Sequence, residues 1–379
     1  MKPFFLTIGF IHLLFGQAPF KIDGNIILES MSNLSGGVQT GTVMSGVGEI
    51  GIEFERKNTL FRISSLLITG DSPSDLIGDG FGASNIDGYD SFRLYEIWVE
   101  KNMLDKSLNI RFGSLLADAE FSVNDVGGLF INSSFGWPAY ISANTVNTGP
   151  AYFVTAAGVR IKYDINENQF LHFGVYDGDP FDHPDGKGDI TKQGMHWEIN
   201  KEQGVFSVGE FVSQKSTKQN YIFKLGTWKY TCSEPSSVYF QDQSSRYGYY
   251  ISTEFELSKT NSRFPSQGFF RAGWSPNNDQ NTYSLSIDGG IIIQNVFKSL
   301  SNDSFGIGVA YASIPGNGFI LYEDMLFPMD YECAIECTYQ FQIMNHITIQ
   351  PDIQWVLHPG GSTINEDAFV GTIRISHSF

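Results

Sequence analysis

An uncharged stretch from Leu129 to Tyr152 carries side chains suited to a polar, neutral molecule. Its 24 residues, LFINSSFGWPAYISANTVNTGPAY, contain no Asp, Glu, Lys, Arg or His, although charged residues make up 17% of the chain. Asn132 offers an amide that donates and accepts hydrogen bonds, while Phe135 and Trp137 offer flat apolar faces. The pattern predicts contacts made without fixed charge.

Charged residues of both signs flank this stretch in the sequence. If they lie around a narrow passage, opposite charges would hold water and orient a polar solute without trapping ions of one sign. We expect Arg111 and Arg160 to face Glu96 there, with Asp118 and Glu120 nearby. The charged candidates for such a site are Arg93, Glu96, Arg111, Asp118, Glu120 and Arg160.

Patterns that could bind a cofactor or a metal ion fail on their spacing. GVGEIG, from Gly46 to Gly51, matches GxGxxG, but an alternating strand follows it rather than a helix, so we interpret its glycines as hairpin residues. In the acidic stretch after Tyr176, the fifth and sixth positions counted from Asp177 are Phe181 and Asp182, where an EF-hand needs Asp or Asn and then Gly. An exposed acidic loop is our interpretation, and a nonstandard cation site is the alternative. We predict no metal and no cofactor.

Composition and the histidines argue against a nucleic-acid partner and against catalysis. The net charge is 24 − 41 = −17 and no basic run occurs, whereas phosphate binding depends on clustered Lys and Arg. No P-loop or GxSxG motif is present. No spacing pairs a histidine with a nucleophile. The histidines beyond the N-terminal segment are His172, His183, His196, His346, His358 and His377. We therefore predict neither an enzyme nor a nucleic-acid-binding protein.

Alternation with period two dominates the rest of the chain. In TIQPDIQWVL, from Thr348 to Leu357, apolar residues at every second position from Ile349 to Leu357 face one side, and the polar residues Thr348, Gln350, Asp352 and Gln354 face the other. YECAIECTYQF from Tyr331 shows the same split. Such segments are typical of strands whose two faces meet different solvents. At roughly 22 residues for a strand and its connection, the chain has room for about 16 strands, an even number that suits a closed antiparallel barrel.

The two ends of the chain distinguish a membrane barrel from a soluble sandwich. Residues 1–18, MKPFFLTIGFIHLLFGQA, are typical of a secretory signal peptide cleaved after Ala18; a short anchoring helix is the alternative. The chain finishes FVGTIRISHSF, and a last strand with a terminal Phe379 resembles bacterial outer-membrane proteins, whose assembly machinery reads such an end. We predict an all-β, transmembrane antiparallel barrel of the bacterial outer membrane, with residues 19–379 forming one domain.

Strand parity then separates inward from outward side chains. Most inward charges are expected to be solvated lumen wall, while a few lie at the narrowest point. The long connection between strands ending near Leu116 and beginning near Ala157 is expected to fold inward, because unstructured loops of that length are usually functional. The charged residues placed inward are Arg62, Glu96, Arg111, Arg160, Lys162, Lys224, Arg271, Glu332, Glu336 and Arg374.

Several longer segments resemble the OprB-type carbohydrate-selective porin family. RLYEIW, FINSSFGWP, MDYECAIECTYQ and IQPDIQWVLHPGG follow one another in the family's order. The resemblance implies a 16-stranded barrel that passes sugars by diffusion. It also implies that outer-membrane lipid, lipopolysaccharide and the barrel assembly machinery are partners, and leaves the oligomeric state open.

The resemblance gives the uncharged stretch a role and leaves alternatives. Asn and Ser groups would bind sugar hydroxyls and aromatic rings the C–H face, and the alternative is that Phe135, Trp137 and Pro138 only pack the loop to the wall. For the whole protein, the alternatives are a porin for another polar solute such as a basic amino acid, a general porin, and an adhesin or structural barrel with a plugged lumen.

Overall fold

Sixteen strands close into one antiparallel barrel in a computed structural model of the chain. The structure describes residues 20–181, 203–215, 220–231, 245–258, 262–276, 281–297, 301–316, 319–322 and 325–379, together with residues 197 and 199. Within these residues, the all-β barrel and its expected strand number are confirmed. The predicted signal peptide and the acidic stretch from Asp182 onward, which includes Asp185 and Asp189, lie outside them.

The strands occupy most of the described chain. The barrel strands are β1 (Phe20–Gly37), β2 (Gly41–Arg56), β3 (Thr59–Gly70), β4 (Ser91–Met103), β5 (Leu108–Leu115), β6 (Ala156–Asn166), β7 (Gln169–Asp177), β8 (Val205–Lys215), β9 (Tyr221–Thr231), β10 (Arg246–Ser258), β11 (Ser266–Trp274), β12 (Leu285–Gln294), β13 (Ser301–Ser313), β16 (Tyr331–Met344), β17 (Ile347–Leu357) and β18 (Glu366–Ser378). The strands β14 (Phe319–Tyr322) and β15 (Met325–Pro328) form a separate two-stranded sheet.

Neighbours in the barrel are neighbours in the sequence, except where the hairpin β14–β15 comes between β13 and β16. The first and last strands close the cylinder in antiparallel register, from Asn25 opposite Ser378 onward. Beyond the last strand, Phe379 exchanges two backbone hydrogen bonds with Gly24, at 3.0 and 3.1 Å. The barrel therefore has no open edge in its closed sheet, which removes unpaired strand groups from the lipid.

The outer face is apolar and the inner face polar. On β17, Ile353 and Trp355 are 47% and 48% exposed, whereas Gln350, Asp352 and Gln354 are nearly or fully buried inside the barrel. Side chains alternate along a strand, so one face meets lipid and the other meets the lumen. No helix among the described residues is long and apolar enough to cross a membrane.

The glycines of GVGEIG lie in the middle of β2, so their interpretation as hairpin residues is wrong. At Gly51 the reason for glycine is a close approach, because a Cβ there would lie 2.7 Å from the Arg62 guanidinium. The strand continues through the motif without a helix after it, which removes the context that a dinucleotide site needs.

The two ends of the barrel differ in the length of their connections. Residues 57–58, 167–168 and 345–346 make short turns at one end, and long loops leave the other. Short periplasmic turns and longer external loops are typical of outer-membrane barrels. Two long loops matter below: the rim loop (residues 71–90), with α1 (Ser74–Ile77), and the inner loop (residues 116–155), with α2 (Ala139–Ser142). Short 3-10 turns lie at Leu104–Lys106, Gly127–Leu129, Ser133–Phe135, Val146–Thr148 and Pro359–Gly361.

Candidate functional site

The inner loop folds into the lumen, as predicted, and carboxylates of the barrel wall hold its backbone. Four amides of the loop donate to three glutamates that point inward from β8, β10 and β16. Because these groups are buried, each amide that lost its acceptor would cost about 1–3 kcal/mol. The pairs are Ser122 N to Glu210 Oε2 (3.0 Å), Val126 N to Glu254 Oε2 (3.1 Å), Ile131 N to Glu336 Oε1 (2.6 Å) and Asn132 N to Glu336 Oε2 (2.9 Å).

Wall cations and amides hold the carbonyl groups of the same loop. Lys224 Nζ donates to Val123 O at 2.5 Å, and Gln350 Nε2 donates to Leu129 O at 2.7 Å. Arg271 donates to three further carbonyl groups of the loop. The expectation that most inward charges would be solvated lumen wall is therefore wrong for this part of the barrel, where they anchor the loop.

The aromatic side chains of the uncharged stretch mostly pack against the wall. Phe135 is 1% exposed and contacts Phe130, with ring centroids 4.5 Å apart. Glycine makes room for these rings: a Cβ at Gly308 would lie 2.9–3.0 Å from both, and one at Gly273 would collide with the Tyr140 ring at 2.2 Å. Phe135 therefore does not face the passage, contrary to the prediction, because the wall opposite it has no side chain to fill the space.

Asn132 is also buried. Contrary to the prediction, it does not present its amide to a solute. Its Oδ1 accepts from the backbone N–H and the hydroxyl of Ser134 at 3.1 and 2.5 Å, and its Nδ2 donates to Gln354 at 3.0 Å. The oxygen of the side-chain amide is therefore occupied by Ser134 of the loop, and its nitrogen by Gln354 of the wall. Asn132 caps a turn and fixes the loop to β17.

Trp137 differs from Phe130, Phe135 and Tyr140, because its side chain stays partly exposed. Its ring lies against Phe206 of β8 at a centroid distance of 6.1 Å in an edge-to-face arrangement. Its Nε1 donates to Thr148 O at 3.1 Å, so the loop itself orients the indole. Of the predicted contact residues in the stretch, Trp137 keeps a face that a solute could reach.

Arg111 and Arg160 form a paired cluster with Glu100 and Glu120. Arg111 lies 2.7 Å from Glu100 Oε2 and 2.6 Å from Glu120 Oε1, and Arg160 lies 2.8 Å from Glu100 Oε2 and 2.7 Å from Glu120 Oε2. Glu100, and not the predicted Glu96, is thus their partner on β4. Two guanidinium groups and two carboxylates cancel in charge while still offering donors and acceptors.

The paired cluster keeps Glu120 ionised. Burial alone would raise the pKa of this carboxyl, but the contact with His172 and the charges of Arg111 and Arg160 outweigh burial and lower the pKa to about 2. His172 Nε2 lies 3.1 Å from Glu120 Oε2, so His172 points inward from β7 toward the paired cluster. Arg111 also lies over the Trp98 ring at 3.9 Å, a cation–π contact.

Glu96 belongs to a second group, the acidic cluster, in which four carboxylates surround Arg62. These carboxylates keep 15–33% of their side-chain surface exposed. Glu96 also accepts from Trp98 Nε1 at 3.0 Å, which connects this cluster to the paired cluster. The pairs with Arg62 are Asp23 (3.0 Å), Glu49 (3.2 Å), Glu53 (3.2 Å) and Glu96 (2.9 Å).

A β-bulge explains how Arg93 and Glu96 can both point inward. The register of β3 and β4 shifts between Ile63 and Ser65, so an extra residue of β4 is accommodated there and the parity of the strand reverses. Arg93 then lies above the bulge, 2% exposed, donating to Tyr89 and Ser91 at 3.1 Å. It contacts the base of the rim loop and lies outside both clusters.

Asp118 joins the two ends of the inner loop instead of the paired cluster. Its Oδ2 accepts from Tyr152 N at 2.8 Å. Burial raises the pKa of this carboxyl to about 6, although hydrogen bonds from the backbone oppose the shift. Of the predicted charged residues, Arg111, Glu120 and Arg160 come together, and Arg93, Glu96 and Asp118 lie elsewhere.

Beneath the inner loop, an open pocket of about 550 Å³ adjoins the paired cluster on the side of the short turns. Its wall mixes amides, carboxylates, cations and the ring of Phe170. Among the described residues, no three His, Cys, Asp or Glu side chains lie together in a way that could hold a metal ion. Lining residues with polar side chains include Glu100, Asn102, Asn109, Arg111, Lys162 and Lys224.

The sequence pattern did not identify Glu100, Trp98 or three of the partners of Arg62, namely Asp23, Glu49 and Glu53, as residues of this site. Strict alternation from Glu96 through Trp98 places Glu100 on the same face of the strand, so the sequence pattern contains the signal that identifies Glu100. Arg271 was placed inward without a role. Its partners are backbone carbonyls of a distant loop, and no side-chain pattern signals them.

Comparisons with known proteins agree with this architecture. A family model described as "Carbohydrate-selective porin, OprB family" matches residues 52–379. The chain is 21% identical over 326 residues to Porin B of Pseudomonas aeruginosa, covering 76% of this chain and 68% of the relative. It is 20% identical over 416 residues to the putative porin QuiX of Acinetobacter baylyi, covering 95% and 89%. Among solved structures, OprB of Pseudomonas putida at high pH superimposes with a TM-score of 0.80 at 18% identity, covering 98% of this chain and 97% of that one.

Proposed function

Because the chain belongs to the OprB family of carbohydrate-selective porins, with a barrel of the bacterial outer membrane, we propose that it lets small neutral sugars diffuse passively into the periplasm. The family and the fold are those of a channel. The observation that carries the proposal is the paired cluster, in which two arginines and two glutamates bind one another beside an open pocket.

A neutral cluster of fixed charges suits a solute that has many hydroxyls and no charge. Guanidinium and carboxylate groups donate and accept the hydrogen bonds that a sugar needs, and their cancelled charge gives neither cations nor anions a strong site. The partly exposed Trp137 adds a flat face for sugar C–H groups. Binding must stay weak, since a solute that is held tightly does not pass.

A basic amino acid is the second candidate solute, and the acidic cluster favours it. Four carboxylates meet Arg62, and Lys21 lies 4.0 Å from one of them, Glu53, so that two negative charges stay uncompensated. These side chains are partly exposed, so a guanidinium or ammonium group could reach them. This candidate requires the acidic cluster, rather than the paired cluster, to govern selectivity.

Swelling of liposomes that contain the purified barrel separates the candidates. Glucose, arginine and succinate are compared at equal osmolarity, with liposomes lacking protein as the control. We expect glucose to enter fastest. Faster entry of arginine would favour the second candidate, equal rates would indicate a general porin, and no entry together with no conductance in planar bilayers would indicate a plugged barrel.

We also propose that residues 1–18 are a cleaved signal peptide, that residues 19–379 form one domain and that the barrel assembly machinery recognises the last strand. Contacts with outer-membrane lipid and lipopolysaccharide follow from the location. Deleting Phe379 should reduce the yield of assembled barrel without stopping export. The heat-dependent gel shift of the closed barrel measures assembly, and normal yield of the truncated chain would contradict the proposal.

A further inference from the structure

Arg271 of β11 is buried in the barrel wall, and every nitrogen of its guanidinium has a partner. The side chain is 1% exposed. Nε lies 2.9 Å from Asp288 Oδ2 on the neighbouring strand β12, and Asp288 is itself 2% exposed. The two remaining nitrogens point at the inner loop. The ion pair thus fixes the guanidinium within the wall, and its other donors are aimed at the loop backbone.

The carbonyl groups that Arg271 binds come from two separate arms of the inner loop. Nη1 donates to Ser122 O and to Gly136 O, both at 2.7 Å, and Nη2 donates to Ser134 O at 2.8 Å. Ser122 lies before the first 3-10 turn of the loop and Ser134 and Gly136 lie beyond it, so one side chain connects both arms to the wall. Gly136 directly precedes Trp137 in the sequence.

We propose that Arg271 is a positioning residue that sets solute selectivity by fixing Trp137 in the passage. The proposal rests on the proposed function, because it gives Arg271 its effect through the ring that contacts sugar. Arg271 does not touch the solute. It holds the carbonyl on the N-terminal side of Trp137, while the hydrogen bond from the indole to Thr148 O holds the ring on the other side.

The geometry requires arginine and not merely a positive charge. A planar guanidinium presents five donors in a fixed fork, so it can bind a carboxylate and three carbonyl groups in different directions at once. Lysine has one compact ammonium with three donors and cannot reach all four acceptors. Arg271→Lys therefore retains the charge next to Asp288 while releasing part of the loop.

A double-mutant cycle between Arg271→Lys and Trp137→Ala tests the proposal. The dissociation constant of glucose is measured from its block of ion current through single channels in planar bilayers. We expect each single variant to weaken glucose binding by roughly fivefold, and the double variant to be no weaker than Trp137→Ala alone. Additive losses would mean that Arg271 does not act through Trp137 and would overturn the proposal.

Arg374→Lys is the matched control. Arg374 is another buried wall arginine with a carboxylate partner, Glu29 at 2.7 Å, but it binds Asn85 of the rim loop. It should leave glucose block and conductance at wild-type values. A loss equal to that of Arg271→Lys would show a general effect of disturbing the wall and would contradict the specific role.

Ion conductance separates failure of the proposal from failure of the proposed function. If glucose does not block the wild-type channel, the sugar function fails. The positioning role of Arg271 is then tested by single-channel conductance and current noise alone. A released inner loop should increase conductance and current noise in Arg271→Lys but not in Arg374→Lys, and unchanged current would overturn the positioning role. Assembly is checked by the heat-dependent gel shift. If Arg271→Lys does not assemble, Asp288→Asn, which keeps the guanidinium but removes its anionic partner, is measured by the same criteria.

Discussion

The inner face of the barrel has two halves that use the same residue types in opposite ways. From β8 to β17, inward charges such as Glu210, Arg271 and Glu336 bind the backbone of the inner loop. From β1 to β7, inward charges such as Arg62 and Arg111 bind other side chains. We call these the covered half and the open half. The role of an inward charged side chain therefore depends on whether the inner loop lies against it.

Exposure differs between the covered half and the acidic cluster of the open half, whereas Arg160 of the paired cluster is only 4% exposed. In the covered half, Arg271 and Glu336 are at most 1% exposed, whereas Asp23 and Glu49 in the open half keep 33% and 21% of their side-chain surface. Charges that stay in contact with water are screened, and their ion pairs contribute about 0–1 kcal/mol. Buried groups that lose a partner cost more. The covered half is expected to determine loop position, and the open half the ions that pass.

The largest effect should come from breaking the covered half at Glu336. Glu336→Ala leaves the amides of Ile131 and Asn132 without acceptors in a buried site, at about 1–3 kcal/mol each. We expect a lower temperature for the gel shift and a higher single-channel conductance. Glu53→Ala in the open half is the control and should change the transition temperature little. Equal destabilisation by the two substitutions would remove the distinction between the halves.

In the open half, neutralising Glu120 should change ion selectivity. Glu120→Gln removes one of the two carboxylates that cancel Arg111 and Arg160, so the passage gains net positive charge. The reversal potential in a KCl gradient should shift toward anion selectivity. The isosteric change Glu254→Gln in the covered half serves as the control. No shift in Glu120→Gln would place the paired cluster away from the route of ions.

Because the pKa of Glu120 is low, the role of Glu120 in ion selectivity should not depend on pH near neutrality. Its folded pKa of about 2 is below the ordinary 4.5, so it contributes stability that is present above pH 4.5 and is lost as pH falls through about 2. Between pH 4 and pH 8 the group remains ionised. Any change of selectivity in that range should therefore persist in Glu120→Gln, and its disappearance in the variant would contradict this assignment.

A smaller effect is expected at Trp137, a partly exposed aromatic ring of the inner loop. Trp137→Ala should weaken sugar block by an amount on the order of 1 kcal/mol, because one aromatic contact is lost. Small-ion conductance should stay the same or increase, since a bulky group has left. Trp355→Ala, on the lipid-facing surface, is the control. Wild-type sugar block in an assembled Trp137→Ala barrel would identify the ring as packing only.

A pH-dependent effect is expected at Asp118, which joins the two ends of the inner loop. Its folded pKa of about 6 is above the ordinary 3.8, so its contribution to stability is complete below pH 3.8 and is lost as pH rises through about 6. Asn keeps an acceptor for the Tyr152 amide and does not titrate. Asp118→Asn should therefore lose less stability than the wild type between pH 4 and pH 7, measured by the gel-shift temperature. Parallel curves would assign the titration to another group.

Alternation predicted the barrel well because lipid and water impose opposite demands on successive residues of every strand. The same parity placed Arg111 and Arg160 correctly, but not their partner. Arg111 lies opposite Glu100 in the register of β4 and β5, and the alternation within one strand does not reveal which residue of the neighbouring strand lies opposite. Predictions that depend only on one strand therefore succeeded, and those that depend on pairing did not.

The inner loop was predicted to exist and to fold inward, but the orientation of its side chains was not predictable. Phe135 and Trp137 are two positions apart and equally aromatic, yet Phe135 packs against glycine in the wall and Trp137 stays partly exposed. What separates them is the shape of the opposite wall, which is formed by strands that come later in the chain, Phe206 of β8 for Trp137 and Gly308 of β13 for Phe135. Composition identifies such a loop, while packing decides which of its residues a solute can reach.

Closure of the cylinder by its first and last strands sets an order of events for biogenesis. Glu29 and Arg374, 345 positions apart, form a buried ion pair at 2.7 Å across that seam. Neither residue can find its partner until translation and export have delivered the carboxyl terminus. Until then, the strands already made carry unpaired edges and lipid-seeking faces through an aqueous compartment, where they are prone to aggregate. The barrel can therefore close in the membrane only after β18 has been exported and can pair with β1.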